Sequence, residues 1–354
     1  MHRFDYTFLK TESIPPKLIN VVSSIYSLKS MSQFQKGENA KVFTELESIA
    51  KIQSVKGSNA IEGIITSDDR IKAIVQEKVS PINHDEAEIA GYRDALNQIH
   101  QNYQYISFME SDILSLYSVL LSFSDYEQKG KYKDIDNAII EIDENGKRRM
   151  RLNPVSAKDT PFFMEQLILS YTEAQSDSKI NGLLLIPCVI LDFLCIHPFR
   201  DGNGRMSRLL SLLLLYKNGF DVGKYISFEE QINKYKNQYY DALYVSSFGW
   251  HENTNDYFPF IENFLTFLFL CYKELDKRFA IVNGKKVSKT ARVESTILNA
   301  ITPLSKNEIH DILPEVSITT IELVLGKMLK MGKIVKIGSA RSTRYYKNNN
   351  KHTN

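Results

Sequence analysis

The chain has 354 residues, enough for two or three domains and a substantial core. Its 44 Lys and Arg against 42 Asp and Glu leave a formal charge of +2, so no overall field requires nucleic acid or a membrane surface as a partner. The three cysteines, Cys188, Cys195 and Cys271, lie in apolar helical context and are expected to be buried thiols of a reducing compartment, not a disulfide set or metal cluster. The start, Met1-His2-Arg3-Phe4-Asp5-Tyr6, holds no apolar signal core, and the apolar run at 209–216 is too short to span a bilayer. A cytoplasmic protein without membrane contact is the expectation.

Residues 1 to about 36 mix apolar and polar positions, with Pro15-Pro16 as an early break. Over 40–55 the pattern turns helical, with Val42, Phe43, Leu46, Ile49, Ala50 and Ile52 on one broad face. If that helix persists to Glu62 and Gly63 ends it, Ser58 and Glu62 share a face. The glutamate then lies at a helix C-terminus, the unfavourable end for a negative charge. It is tolerated there best beside a cation from elsewhere; an exposed surface acid is the plain alternative. Residues 64 to about 100 read as helical and polar, with Glu86, Glu88, Tyr92, Arg93 and Leu96 on mixed faces and no chemistry assigned. His84 and His100 are expected to be exposed, with no second ligand at metal spacing. An amphipathic helix follows over 111–123. Gly130-Lys131-Tyr132-Lys133 then leads into two β-capable runs, 138–142 and 147–152, around the turn Asp143-Glu144-Asn145-Gly146, which is the pattern of a hairpin. Residues 161–176 read as a helix.

Two strongly apolar runs, 182–196 and 209–216, are expected to be buried helices, and a tight polar loop stands between them. The loop is assembled as an anion site. Gly202 and Gly204 flank Asn203, so the backbone can turn sharply and present N–H groups. A second helix starting near Arg205 adds the partial positive charge of its N-terminus. Arg205 and Arg208, three apart, point to one side of that helix. Asp201 is an acid among cations, placed to hold Mg²⁺ against phosphate oxygens. Pro198 stops the first helix and is expected to restrict His197 to an extended conformation, and a histidine at that edge is suited to take a proton from an incoming hydroxyl. A capping histidine, a Gly-Asn-Gly turn or a solvated arginine pair is ordinary by itself. Their combination within one short loop points to chemistry.

After Gly219 a polar stretch runs to Gln238-Tyr239-Tyr240, whose tyrosines either pack in the core or line an adenine pocket. Trp250 and a helix over 257–279 close the core, with Phe258, Phe260, Phe264, Phe267 and Phe269 as packing. Composition shifts at 282–286, where a domain boundary is placed. Residues 290–347 read as a small separate unit. It has a helix with Val293, Ile297 and Leu298, a second capped by Ser305 with Glu308 three residues on, a third from Ser317 through Leu329, and a two-stranded end at 332–338 and 341–346. This order resembles a winged helix-turn-helix. Seven Lys and Arg and no acid fall between Lys327 and Lys347, a strip suited to a phosphate backbone, although such modules also dock proteins. Residues 348–354 are polar and expected to fray.

Residues 197–208, His-Pro-Phe-Arg-Asp-Gly-Asn-Gly-Arg-Met-Ser-Arg, resemble the His-Pro-Phe-x-(Asp/Glu)-Gly-Asn-Gly-Arg-x-x-Arg signature of the Fic family, with no defining position missing. The resemblance implies a mainly α protein. Its parts would be an N-terminal helical Fic-associated region (1–100), a Fic-fold helical core with a β-hairpin flap (101–281) and a C-terminal winged helix-turn-helix domain (285–347). It also implies a protein adenylyltransferase that moves AMP from ATP to Ser, Thr or Tyr hydroxyls of target proteins and of itself. His197 is then the general base. Phe199, Arg200, Asp201, Gly202, Asn203, Gly204, Arg205 and Arg208 bind the nucleotide, Asp201 through Mg²⁺. Tyr239 joins them, because relatives often show Tyr-Tyr at this distance.

Ser58-x-x-x-Glu62-Gly63 is similar to the (Ser/Thr)-x-x-x-Glu-(Gly/Asn) inhibitory motif of members that carry it ahead of the core. By that analogy Glu62 pairs with Arg208 and keeps it from clamping the γ-phosphate. In some relatives the same glutamate aligns water for removal of AMP, so a bifunctional enzyme is left open. The hairpin 138–152 becomes the flap that holds a target segment by backbone pairing. Lys133 stands where many members have Arg, and Asn153-Pro154 where they have Pro-Pro. Two other readings stay open: a Fic-fold transferase with another nucleotide donor, and a DNA-binding regulator with a nucleotide-responsive Fic body. The sequence does not decide whether 290–347 meets DNA or protein, or whether the chain forms a homo-oligomer.

Overall fold

The computed structural model describes residues 2–125, 127–142, 148–282, 289–298, 300, 303–313, 316–339 and 343–348. The hairpin turn at Asn145-Gly146, the expected boundary at 283–286, Arg341 and residues 349–354 lie outside the described residues. The chain divides into two compact units, Met1–Lys273 and Glu274–Asn354. It is mainly helical with a β-hairpin, as expected.

The first unit opens with α1 (Phe8–Thr11), α2 (Pro16–Glu38) and α3 (Ala40–Ile61), followed by α4 (Asp68–Lys72), α5 (His84–Asn102) and α6 (Glu110–Leu120). Strands β1 (Ile139–Ile142) and β2 (Arg148–Leu152) pair antiparallel, with Glu141 opposite Arg149 and Ile142 opposite Arg148. Then come α7 (Thr160–Ser176), α8 (Gly182–Ile196), α9 (Asn203–Lys217), α10 (Phe228–Lys234) and α11 (Lys236–Ser247), and α12 (Phe258–Val282) runs past the unit's end at Lys273. The second unit holds α13 (Lys289–Leu298), α14 (Lys306–Ile312), α15 (Ile318–Lys330) and the strands β3 (Ile334–Ile337) and β4 (Arg344–Lys347).

The two apolar runs of the sequence become α8 and α9, and both are buried along nearly their whole length. A helix that is apolar all round has no face to give to water and ends up in the middle. α7 packs on α8, α8 on α9, and α5 on both α6 and α9. The α5–α6 approach is so close that a Cβ on Gly91 would come within 1.9 Å of the Leu120 carbonyl oxygen. One acid sits inside this core. Asp192 of α8 is fully buried and accepts hydrogen bonds from Tyr6 (2.7 Å), Trp250 Nε1 (2.7 Å) and Tyr257 (2.8 Å). A buried carboxylate is tolerable only when satisfied in this way, and here it ties the N-terminal segment and residues 250–257 to the central helix.

Several expectations need correction. α5 is not a polar surface helix: Glu86, Glu88, Tyr92, Arg93 and His100 are all buried, because α5 lies between α6 and α9. Burial, with Lys51 and Lys224 adding to it, holds His100 down at about 3, so the ring is neutral beside the Tyr216 hydroxyl at 3.2 Å. His84 is exposed as expected. Ile49 falls off the buried face of α3 and is 36% exposed. The polar stretch after Gly219 hides Val222, Tyr225, Ile226, Phe228 and Ile232 in the core, with Ser227 capping α10. All three cysteines are buried free thiols. No helix among the described residues is long and apolar enough to cross a membrane.

In the second unit Val293, Ile297, Ile309, Val316, Ile321, Val324, Met328 and Ile334 form one cluster, while Leu298 is 38% exposed. Ser305 and Glu308 form the expected capping box at the start of α14. β3 and β4 pair antiparallel, and Tyr345 extends the pairing to Leu304. Within the basic strip Lys333 meets Glu294 and Arg344 meets Glu308.

Candidate active site

α8 ends at His197 and α9 begins at Asn203, two residues earlier than expected. His197 is not extended. Its φ of 53° and ψ of 61° place it in the left-handed region, while its N–H still bonds the Phe193 carbonyl at 2.9 Å. Pro198 does exclude the right-handed helix for the residue before it, but a left-handed residue is the usual way for a helix to end, and His197 takes that route. For a side chain other than glycine this costs about 1–3 kcal/mol and persists because the surroundings hold it.

Those surroundings begin with Phe199, whose ring is fully buried and stacked on Tyr117 at 3.7 Å. The Tyr117 hydroxyl donates to the Asp201 carbonyl at 3.1 Å. Asn203 clamps the Phe199 peptide from both sides: its Oδ1 accepts the Phe199 N–H at 2.9 Å, and its Nδ2 donates to the Phe199 carbonyl at 2.7 Å. Gly202, at φ 77°, makes the turn into α9. The first intrahelical bond runs from Met206 to Gly202 at 2.8 Å, so the N–H groups of Asn203, Gly204 and Arg205 precede it, as at any helix start. Phe199 and the Asn203 side chain, read as nucleotide contacts from the sequence, are used in this structure to build the loop.

A pocket of about 100 Å³ opens over this turn, lined by Glu62, His197, Arg200, Asp201, Arg205 and the backbone of 202–204. A larger cavity of about 510 Å³, beside His2, Asp5, Asn253 and Asp256, is not lined by any signature residue. Arg205 is 1% exposed. Its Nη1 lies 2.6 Å from Glu88 of α5 and its Nη2 3.3 Å from Asp201. The Glu88 contact is not aligned as a hydrogen bond, and Nε and Nη1 make none among the described residues. A buried guanidinium with N–H groups left over, on the wall of a pocket at a helix N-terminus, fits an anion. The Asp201 side chain is 65% exposed at the same place. Among the described residues no cluster of three or more His, Cys, Asp and Glu side chains offers a protein-only metal cage. One exposed carboxylate beside an anion site fits Mg²⁺, which commonly takes the rest of its ligands from phosphate oxygens and water. Arg200 bonds Asp134 at the outer edge.

Arg208 is also 1% exposed and is engaged through Nε and Nη2 by the end of α3. Its Nε donates to Ser58 Oγ at 2.8 Å, and its Nη2 donates to the Ser58 carbonyl at 2.9 Å and to Glu62 Oε1 at 2.7 Å. Glu62 is the C-cap of α3, followed by Gly63 at φ 83°. Its charge at that unfavourable end is answered from elsewhere. Burial pushes its carboxyl up, but Arg208, then Arg205 and Lys236, outweigh this and hold it below the usual range. Lys236 also caps the Ile61 carbonyl. The carboxylate reaches over the loop so closely that a Cβ on Gly204 would lie 2.2 Å from Glu62 Oε1. Tyr239 is 4% exposed, against Tyr240 and Phe260. Its phenol is pushed up by burial, and Arg208 nearby pulls it partly back.

His197 Nδ1 receives Asn137 Nδ2 at 3.0 Å and Asn203 Nδ2 at 3.2 Å. Burial, and then Lys133, bring the imidazole down to about 4, against the opposing pull of Glu62 and Asp201. At neutral pH the ring is therefore uncharged. Glu88, Asn137, Tyr117 and Lys236 were not picked out by sequence reasoning as parts of this site, and Lys133 was noted only as standing where many Fic members have Arg.

Comparison with known proteins agrees with this geometry. The Fic/DOC family model matches residues 105–215. A Fido domain-containing protein of Dictyostelium discoideum is 35% identical over 65 residues, which are 17% of this chain and 46% of that protein, so the match spans less than half of the relative. A crystal structure of a Fic family protein from Desulfovibrio desulfuricans superposes with a TM-score of 0.62 at 20% identity, covering 95% of this chain and 97% of that one. Fic-1 from C. elegans superposes at 0.59 with 18% identity, covering 75% and 73%. Residues 105–215, which hold the signature loop, its two flanking helices and the hairpin ahead of them, therefore match the Fic/DOC domain, and the chain shares its fold with the Fic structures.

Proposed function

We propose that the chain is a protein adenylyltransferase that moves AMP from ATP to a protein hydroxyl and rests in a restrained state. Fic-domain proteins are a family of nucleotidyl transferases, which sets the reaction class. The observation that carries the specific reading is His197 on the wall of one pocket with the buried Arg205 and Glu62, while Glu62 is paired to the buried Arg208. In the reaction the target hydroxyl gives its proton to His197. Its oxygen then attacks the α-phosphorus, the bond to the β-phosphate oxygen breaks, and pyrophosphate leaves. The loop N–H groups, Arg205 and a released Arg208 stabilise the charge that develops on the phosphates. Mg²⁺, when held by Asp201 with phosphate oxygens, neutralises part of the same charge.

A pocket of about 100 Å³ takes little more than a phosphate group. Withdrawal of Glu62 both frees Arg208 and widens the space over Gly204, so one residue restrains both the phosphate clamp and the room for phosphate. The hairpin 138–152 is assigned to the target segment, and the chain's own hydroxyls are assigned as further acceptors. Residues 290–347 are assigned as a winged helix-turn-helix that docks protein. α15 exposes Ile318 (43%) and Leu323 (56%) together with Glu322, and two cations of the basic strip are already met by acids. Salt-dependent duplex binding by the full chain would reverse that assignment. Removal of AMP by water aligned on Glu62 is a separate activity, tested by loss of AMP from a pre-modified chain.

The test of transfer is the intact mass of the Glu62→Gly protein after incubation with ATP and Mg²⁺, beside wild type and Glu62→Gly/His197→Ala. One or more AMP units should appear on the single variant and none on the double. No gain while ATP raises the melting temperature would point to another nucleotide donor or to a nucleotide-responsive regulator in place of a transferase.

A further inference from the structure

The two side chains that meet His197 Nδ1 are both amides, and their orientations are fixed by other partners. Asn137 Oδ1 accepts from Lys133 Nζ at 2.9 Å, and its Nδ2 donates to the Phe199 carbonyl at 3.0 Å. Exchanging its oxygen and nitrogen would face an NH₂ with an ammonium and a carbonyl oxygen with a carbonyl oxygen. Asn203 is fixed likewise by the N–H and C=O of Phe199. Both groups that approach Nδ1 are therefore NH₂ donors. A hydrogen on Nδ1 would point into two other N–H groups, so Nδ1 holds its lone pair and the neutral ring carries its hydrogen on Nε2.

The geometry points to Asn137 as a positioning residue that sets the tautomer of His197 and keeps the resting ring from accepting a proton at Nε2. The consequence for catalysis rests on the transfer reading above, but the tautomer does not. For Nε2 to take the proton of a hydroxyl it must first offer a lone pair, which requires the ring hydrogen to sit on Nδ1 and an acceptor to face it there. A half-turn of the Asn137 amide supplies that acceptor, Oδ1, and breaks both the Lys133 bond and the bond to the Phe199 carbonyl. Lys133 opposes the turn. It is 3% exposed, and its backbone N–H is itself tied to the Pro198 carbonyl at 2.8 Å, so the ammonium is held in place. Asn137 lies two residues before β1 of the hairpin, so displacement of that strand by a bound segment would act on the amide directly. The brake at Nδ1 is distinct from the one at Arg208: one acts on the proton, the other on the phosphate.

The test is the ring nitrogen resonances of His197 in the full chain labelled with ¹⁵N-histidine, assigned by difference from His197→Gln. In wild type Nδ1 should resonate as an unprotonated nitrogen and Nε2 as a hydrogen-bearing one. Asn137→Asp replaces the donor by an acceptor of the same size, and in that variant Nδ1 should become hydrogen-bearing. Lys133→Met, which removes the latch but leaves Asn137, should give a mixture of both tautomers. A hydrogen on Nδ1 in wild type, or an Nδ1 signal unchanged in both variants, overturns the proposal. None of these spectra needs nucleotide or turnover, so absence of AMP transfer would fail the functional reading and leave this one standing.

Discussion

Glu88 is the residue whose removal tests the site's architecture most directly. Arg205 is 1% exposed, and Glu88, itself 6% exposed, lies 2.6 Å from it. Truncation of Glu88 to alanine leaves a buried guanidinium with Asp201 at 3.3 Å, on an exposed side chain, and with Glu62, which is already paired to Arg208. Breaking a buried pair from one side costs about 3–5 kcal/mol, because the surviving charge loses its compensation and stays out of water. In a folding unit of this size 1 kcal/mol corresponds to about 2–4 °C of melting temperature, so a drop of about 6–20 °C is expected. Removing both partners should recover much of the loss: Glu88→Ala/Arg205→Met should melt above Glu88→Ala alone, since two apolar groups replace two charges. Inorganic pyrophosphate should restore Glu88→Ala more than wild type, because an anion then does part of the work of the missing carboxylate. Thermal melts of the four proteins with and without pyrophosphate decide the matter. A Glu88→Ala melting temperature within a degree of wild type would mean that Arg205 is solvated or otherwise satisfied, and the account of the anion pocket given above would fail.

Glu62→Gln keeps the volume over Gly204 but turns a charge-assisted bond worth about 1.5–3 kcal/mol into a neutral one worth about 0.5–1.5 kcal/mol, so initial transfer should rise about 5-fold to 10-fold; equal rates for Gln and wild type would leave steric cover as the only restraint from Glu62. His197→Ala in the Glu62→Gly background should lose transfer while ATP still raises the melting temperature; retained transfer would remove His197 as the base. Transfer by Glu62→Gly should hold as pH falls from 8 to 5 and decline through about 4 or below, because burial and Lys133 depress His197 to about 4 and loss of Glu62 removes a group that raised it; a midpoint near the ordinary value of about 6.5 would contradict the buried geometry. In wild type the Glu62–Arg208 contact should survive across the same range and weaken only below the ordinary carboxylate pKa, since a depressed carboxyl stays ionised until the pH falls past it, and nucleotide affinity measured from pH 5 to 8 should be flat.

How much of this was legible in the sequence depends on the range of the interaction. The apolar runs, the hairpin and the loop between α8 and α9 are local patterns, and each formed near its expected bounds. The backbone of His197 was misjudged because the effect of Pro198 was taken to leave a single alternative, whereas a helix end supplies a second. α5 was misjudged more seriously. Its charged residues read as polar positions on mixed faces, but Ala87, Ala90, Gly91 and Ala95 recur at helical spacing and are the better signal, for small residues at that interval let helices approach. A helix that touches its neighbour at Gly91 cannot keep Glu88 and His100 in water. Asn137 gave no such warning, since nothing in its neighbourhood is periodic and its partner is sixty residues away.

Arg205 and Arg208 bring these threads together. Three residues apart on one helix, they share a face, and periodicity gives them equal standing. The fold does not treat them equally. Arg205 is neutralised from α5, by an acid buried in the body of the domain, and part of its guanidinium is left over for a ligand. Arg208 is neutralised from the last turn of α3 by a glutamate whose side chain is 31% exposed, sits at the unfavourable end of its helix and borders the pocket. The first arrangement is expensive to break and suits a permanent anion wall. The second joins a buried cation to an acid held by little besides that cation, Arg205 and Lys236, so it can be exchanged for a phosphate at small cost to the rest of the fold. A restraint that must be released during turnover belongs on the second arginine, and the different burial of the two carboxylates places it there.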